Sequence, residues 1–385
     1  MTGNRRKQAQ AVLFSLIMIV SMGGIGAAGF AGSAAADAPQ ESPTDSPGNL
    51  QVSLLNGSTG TVNATWGVNT TSGTINVTNG TETDTQVADI TVDTDSAKAI
   101  QYAINNASAE NDTVLVGSGT YNGSLSINAT VNVNADGLTL EAAEGASPVI
   151  DAGDDENAID ILADDVTIRG FTVKGFTVGG IMDSSDNQDG TVLIEDNKVE
   201  SPGETGSATV QPIQITGGDG SRVINNTVDM VPEFEGDEWA STGILADGTT
   251  NAEIRGNTVM SDEVGIGISS FYGNPPTNNT IEGNEISTNS SGRAVEISAT
   301  GQNVEDTEVS NNIIENSDEG LNIVEYDDYS GIISGSTVSG NTFSGNGVHV
   351  DVSGGDVDLS TIQQGNTFDP DGMVDGNQIV PMTSE

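Results

Sequence analysis

One phrase recurs through the chain and constrains its fold more than any other feature. It has the form Ile/Val-x-Gly/Asn-Asn-x-Val/Ile/Phe. It reads Ile194-Glu195-Asp196-Asn197-Lys198-Val199 and Ile224-Asn225-Asn226-Thr227-Val228, then Ile254-Arg255-Gly256-Asn257-Thr258-Val259 and Ile281-Glu282-Gly283-Asn284-Glu285-Ile286. Three further copies carry Asn312, Asn341 and Asn366, the last with one extra residue before its Asn. Successive asparagines, at 197, 226, 257, 284, 312, 341 and 366, are 29, 31, 27, 28, 29 and 25 residues apart. An earlier copy, Ile168-Arg169-Gly170-Phe171-Thr172-Val173, places Phe where the others place Asn. A period in this range marks a solenoid, in which each repeat buries its apolar face only against its neighbours.

The repeat overrides the division into two or three domains that 385 residues would otherwise suggest. Charge narrows the partners. There are 56 Asp and Glu against 10 Lys and Arg, and three of those cations (Arg5, Arg6 and Lys7) lie in the first ten residues. A net charge of −46 excludes non-specific binding to nucleic acid or to anionic lipid. The acids are scattered along the chain, which fits a salt-adapted surface whose self-repulsion is screened in concentrated salt. Cysteine is absent, so no disulfide staples the fold.

Arg5-Arg6-Lys7 precedes an apolar run from Ala11 to Ala36 that ends in Ala34-Ala35-Ala36-Asp37. This is the pattern of a signal peptide, residues 1–36, removed before Asp37. The run resembles the signal segment of haloarchaeal surface glycoproteins. Residues 37–92 are rich in Thr, Asn and Gly, with acceptor sequons at Asn56, Asn63, Asn69, Asn76 and Asn79. Further sequons include Asn106, Asn111, Asn122, Asn128, Asn225, Asn278 and Asn289, so a glycosylated surface is expected. No apolar anchor follows in the tail, residues 369–385, and retention in the membrane after signal cleavage is not expected.

Ala99, Ile100, Ala103, Ile104 and Ala107 fall at helical spacing behind Ser96, a good N-cap. Val114-Leu115-Val116, Leu138-Thr139-Leu140 and Val166-Thr167-Ile168 then alternate as strands do. Ala99-Ile100-Gln101-Tyr102-Ala103-Ile104, Asp112-Thr113-Val114-Leu115-Val116 and Gly119-Thr120-Tyr121 resemble the opening of right-handed parallel β-helix proteins of the pectate-lyase-like superfamily. The resemblance spans about residues 93–368. It implies an all-β solenoid with three strands per coil and an N-terminal capping helix. It does not fix a function, because that superfamily mixes lyases, hydrolases, epimerases, adhesins and surface proteins.

The resemblance also implies the register. The asparagines sit in the turn between second and third strands, where Asn tolerates a left-handed conformation and stacked amides bond from coil to coil at about 4.8 Å. They are read as structural. The first strands are the phrases at Ile213, Ile244, Ile266, Val295, Leu321 and Val348, which alternation points inward. One residue on, Gln214, Leu245, Gly267, Glu296, Asn322 and His349 point outward, and two further on so do Asp247 and Asp351. In enzymes of the superfamily the substrate groove lies on this first sheet.

Candidate chemistry follows. Glu296, Asn322 and the single His349 should form one column, with Arg293 beside it as a groove cation for acid–base work on an anionic sugar. Gln214, Asp247 and Asp351 would contact substrate, and Phe234 and Trp239 would offer a stacking platform. Two acidic sets suggest Ca²⁺: Asp183, Asp186 and Asp189, and Asp369, Asp371 and Asp375. Two readings stay open. One is a secreted or surface β-helix of a halophile that binds a polysaccharide or surface glycan. The other is a polysaccharide lyase or related carbohydrate-active enzyme. The first is preferred, because the chain has neither the clustered aspartates of the superfamily's hydrolases nor a clear lyase set.

Overall fold

The structure is a computed structural model and describes residues 64–68, 71–75, 90–92 and 97–382, apart from short loops at 107–112, 124–128, 154, 186–189, 201–208, 231–239, 272–273, 289–290 and 327–329. Three long sheets run along a solenoid, two of ten strands and one of eleven. Each coil contributes one strand to each sheet in turn, and successive coils pair in parallel. In the second sheet, Val166–Arg169 pairs with Val192–Glu195, and in the third, Thr172–Lys174 pairs with Lys198–Glu200. In the first sheet, Gly179–Asp183 pairs with Thr209–Thr216. The three-strand coil places each asparagine between the second and third strands.

Register brings like residues into columns. Ile168, Ile194, Val223, Ile254, Ile281 and Val309 align in the second sheet and all are fully buried. The inward residue of the second copy is therefore Val223 rather than Ile224, because that copy begins at Val223, as far before its Asn as the other copies begin before theirs. Ile181, Ile213, Ile244, Ile266, Val295 and Leu321 form the matching column of the first sheet. These aliphatic side chains, all but Leu321 β-branched, fill the long core and suit the pleated surface.

The asparagines form one continuous ladder. Asn257 shows the unit: its Nδ2 donates to Asn284 Oδ1 at 3.0 Å and to the Val223 carbonyl at 2.9 Å. Its Oδ1 accepts from Asn226, from the backbone N–H at 2.8 Å and from Nδ2 at 3.1 Å. The ladder runs from Asn197 to Asn366, and its first oxygen accepts the Phe171 backbone N–H at 3.0 Å. The left-handed residue is not the ladder asparagine, as expected from sequence, but the one before it. Asp196, Asn225, Gly256, Gly283, Asn311 and Gly340 all have φ between 55° and 70°. The two jobs of the turn are divided: one residue bends the chain and the next bonds along the solenoid.

The ends depart from the repeat. Helix α1, Ala97–Asn106, lies against the early coils with Ala97, Ala99, Ile100, Ala103 and Ile104 buried. Gln101 holds the Asn132 backbone at both its N–H and its carbonyl, at 2.7 and 2.8 Å. Strand Ile90–Val92 already pairs in parallel with Thr113–Val116, so the second sheet starts ahead of residue 93. At the other end, the expected second strand around Ile362 is instead helix α2, Leu359–Gly365, capped by the Asp358 side chain. Asn366 still receives the ladder bond from Asn341 at 2.9 Å. A hairpin of Gly372–Asp375 and Gln378–Pro381 then adds to the first sheet in antiparallel sense. No helix among the described residues is long and apolar enough to cross a membrane. The segment 1–36 lies outside the described residues, as does most of 37–92, from which the antiparallel pair Ala64–Val68 and Thr71–Ile75 is described.

Candidate functional site

The first sheet brings together three of the residues singled out from sequence and separates the fourth. Arg293 opens the strand Arg293–Ala299, and its partner across the coil is Glu319. Ala294 and Val295 both turn inward, so Arg293 and Glu296 emerge on the same outer face three residues apart. Glu296 pairs in register with Asn322, and Asn322 with Asp351.

His349 does not join this column. Glu319 pairs with Val348 and Leu321 with Val350, so His349 falls beside Gly320 and points into the core with no exposure. The last coil is shifted by two residues relative to the expected alignment, and Asp351 takes the place assigned to His349. The position that His349 fills is kept small in earlier coils: a Cβ on Gly320 would meet the Phe343 ring at 2.9 Å and the His349 carbonyl at 2.6 Å. In the final coil no further parallel strand follows on the first sheet, and the imidazole packs against the stacked pair Phe343 and Phe368, at centroid distances of 6.4 and 5.3 Å. Its Nε2 lies 3.0 Å from the Pro370 carbonyl, which can only accept, so Nε2 carries the proton. Nδ1 is buried without a hydrogen-bond partner. Burial holds the imidazole below its usual pKa despite that bond.

Arg293 is the centre of the outer cluster. Its Nη1 lies 3.0 Å from Glu296 Oε2 and 3.9 Å from Glu263 Oε1, and its Nε lies 3.4 Å from Glu319 Oε2. Asn322 Nδ2 donates to Glu319, and the Tyr326 hydroxyl donates to Glu296 Oε1 at 3.4 Å. Three successive coils thus supply three carboxylates to one guanidinium. The side chains of Arg293 and the three glutamates keep 13–18% of their exposure, so solvent still reaches the set. Burial pushes the Glu263 carboxyl up to about 7, against the pull of Arg293 and with help from Glu296 and Asp262. Arg293 is pushed further up by Glu296, Tyr326 and the other carboxylates, although burial alone would lower it. Burial and Glu296 also raise the Tyr326 phenol, which stays a donor.

Sequence reasoning missed Glu263, Glu319 and Tyr326 in this set. Glu263 and Glu319 lie just ahead of or at the start of first strands, at the height of Arg293 on neighbouring coils. That register was available once Arg293 was noted as lying before a strand. Tyr326 reaches back one coil from a turn, and no periodicity signals that.

Other expected contacts are internal. Asp247 is fully buried and accepts the Phe271 backbone N–H at 2.8 Å. Gln214 is 8% exposed and donates to Thr216 Oγ1 at 2.7 Å. Asp351 is outward but shielded, and receives Gln378 Nε2 at 3.0 Å. Phe234 and Trp239 lie outside the described residues, as do Asp186 and Asp189.

Asp183 is bonded within the protein: its Oδ1 takes the Ser185 N–H and hydroxyl, and its Oδ2 takes the Thr216 N–H. Burial raises its pKa. Asp369 ends a third-sheet strand, while Asp371 and Asp375 belong to the terminal hairpin and its approach. Among the described residues no three His, Cys, Asp or Glu side chains converge as a metal site.

Comparison with known proteins places the architecture. The family described as "Right handed beta helix region" matches residues 157–343. Together with the three parallel sheets, this makes the solenoid a right-handed parallel β-helix. Among solved structures, pectate lyase Pel9A is similar at 14% identity over 67% of this chain and 72% of its own, with a TM-score of 0.42. PfbA, a surface adhesin of Streptococcus pneumoniae, is similar at 13% identity over 68% and 76%, with a TM-score of 0.40. The A-module of the Azotobacter vinelandii mannuronan C-5 epimerase AlgE4 is similar at 17% identity over 71% and 92%, with a TM-score of 0.30. No curated protein matches the chain.

Proposed function

We propose that this right-handed β-helix is a secreted or surface-exposed, salt-adapted protein that engages a glycan at its first sheet. The carrying observation is the partly exposed cluster of Arg293, Glu263, Glu296 and Glu319, which sets polar groups from three successive coils side by side on the outer face of the first sheet. Repeated polar groups at about 4.8 Å suit a polymer of hydroxyl-bearing rings. Charge supports the choice of partner. The protein carries −46, and Arg293 is outnumbered by its three carboxylates, so a neutral glycan suits the site better than an anionic one. The test is affinity electrophoresis in molar salt through gels containing neutral or anionic polysaccharides. Retardation by a neutral polymer, lost in Asn322→Ala, supports the reading; free migration through all of them overturns it.

A second reading, carbohydrate-active catalysis, is favoured by the perturbed Glu263 beside Arg293. The geometry favours it in a different form from a lyase. An Arg293 held by Glu296, Glu319 and Glu263 and pushed to a higher pKa does not abstract a proton.

A further inference from the structure

We propose that Asn122 is a site of covalent self-modification, at which the side chain closes on the Gly123 backbone and is converted to aspartate and isoaspartate. The modification is independent of what the first sheet binds. Its chemistry needs a carboxamide followed by a residue with no side chain to hinder the attacking nitrogen, which is an Asn-Gly pair. Such pairs occur at Asn56, Asn79, Asn122 and Asn346, and the last two lie among the described residues. The fold treats these two oppositely. Asn346 is 4% exposed. Its Oδ1 accepts the Ser317 backbone N–H at 3.1 Å, and its Nδ2 donates to the Ile314 carbonyl at 3.0 Å. The Gly347 nitrogen, which would have to attack, donates to the Ser317 carbonyl at 2.9 Å. Asn122 is exposed, and its side chain has no hydrogen-bond partner among the described residues. It ends the strand Gly119–Asn122, the outermost of the third sheet, which is paired on one side only. Gly123 has a φ of 99°, and the place where a Cβ would stand is open. A strand end held from one side opens at little cost and lets the Gly123 nitrogen reach the side chain.

In the first step the Gly123 nitrogen bonds to Asn122 Cγ. The carboxamide nitrogen leaves as ammonia, with the proton that the Gly123 amide gives up, and a cyclic imide remains. Water then opens the ring at either carbonyl. One product is aspartate; the other is isoaspartate, in which the main chain runs through the side-chain carbon. One water is consumed and one ammonia released, with no oxidant or cofactor. The register sets the consequence. Asn122 pairs with Asp151, whose carboxylate already meets Lys174 at 3.2 Å. A carboxylate at position 122 sets like charges opposite each other, and isoaspartate lengthens the main chain and breaks the pairing there. Both loosen the edge strand of the first coil and leave later coils intact. Asn122 also heads the sequon Asn122-Gly123-Ser124. A glycan on Nδ2 would occupy the leaving nitrogen, so the two modifications exclude each other.

The experiment uses the full chain, made in a host that adds no N-glycan and aged in molar salt at mildly alkaline pH. Peptide mass spectrometry follows the amide-to-acid mass change at Asn122 and Asn346, and chromatography separates aspartyl from isoaspartyl peptides. A parallel sample is aged in denaturant. In the folded protein Asn122 should convert at least about tenfold faster than Asn346, which reacts only through opening of its coil. In denaturant the two rates should come together. Conversion of Asn122 no faster than that of Asn346 in the folded protein overturns the proposal. A difference that persists undiminished in denaturant also overturns it, because the selectivity would then come from local sequence and not from the fold.

Discussion

Asn257 and Asn284 are joined twice: Asn284 Oδ1 accepts the Asn257 side-chain N–H at 3.0 Å and its backbone N–H at 2.8 Å. The pair repeats along the solenoid, so every ladder oxygen from Asn226 to Asn366 accepts two bonds from the asparagine before it. Asn257→Ala removes two donations and leaves two Asn226 donors without their acceptor. It should lower unfolding stability by about 2–4 kcal/mol, measured by denaturant titration. Asn257→Asp should cost at least as much at neutral pH, because a carboxylate would face the Val223 carbonyl and the Asn284 oxygen with no proton to give. Full stability in the aspartate variant would mean that the ladder is not what holds the turn.

His349 makes the terminal cap sensitive to acid. Its folded pKa lies below the ordinary 6.5, so its stability contribution is complete above 6.5 and is lost as pH falls below it. His349→Phe keeps a ring against Phe343 and Phe368 and removes the titration. Wild type should lose stability relative to this variant between pH of about 7.5 and about 5.5. Glu263, raised to about 7, and Asp160, raised to about 6 chiefly by burial, act with the opposite sign. Their contributions are complete below the ordinary carboxylate range and are lost as pH rises through those values. The informative quantity is therefore the difference between the two proteins at each pH. A constant difference would remove His349 from the account.

Arg293→Met should destabilise the chain by about 3 kcal/mol near neutral pH, because three carboxylates lose their shared cation. Acid should restore much of that loss by protonating the carboxyls. Thermal melting of wild type and variant at two pH values checks it, and an equal loss at both would show that the three glutamates are not electrostatically coupled through Arg293.

The described sequons are not equivalent. Asn225 and Asn278 are both exposed, but Asn278 donates Nδ2 to Asn251 Oδ1 at 2.5 Å. In a host that carries out N-glycosylation after folding, Asn225 should be occupied and Asn278 should not. Glycopeptide mass spectrometry reads this directly, and the reverse occupancy would contradict it.

The fold was legible because its signal is periodic and local. The Asn phrase and the alternating valines and isoleucines follow directly from the coil. What escaped reading were breaks in that period. The shift of two residues at Val348–Val350 is small in sequence, yet it moves His349 from the surface to the core. Helix α2 replaces a strand although Asn366 keeps its place, because the ladder depends on the turn and not on the strand before it. Arg293, Glu296 and Asn322 were readable as neighbours because they lie on adjacent first strands. Glu263 was readable as a neighbour by the same register, but its raised pKa was not, because that comes from desolvation, a property of packing that residue spacing does not encode.

The reversed strand Gln378–Pro381 gives the solenoid a direction. Every earlier coil offers the next one the same template, so nothing within the repeat itself limits how many coils can be stacked. A strand laid the other way breaks that template. An incoming coil of a second molecule would find hydrogen-bonding groups in the wrong order on the first sheet, and a helix where the second sheet should continue. The antiparallel strand and the helix thus cover the repeating template at this edge of the first and second sheets.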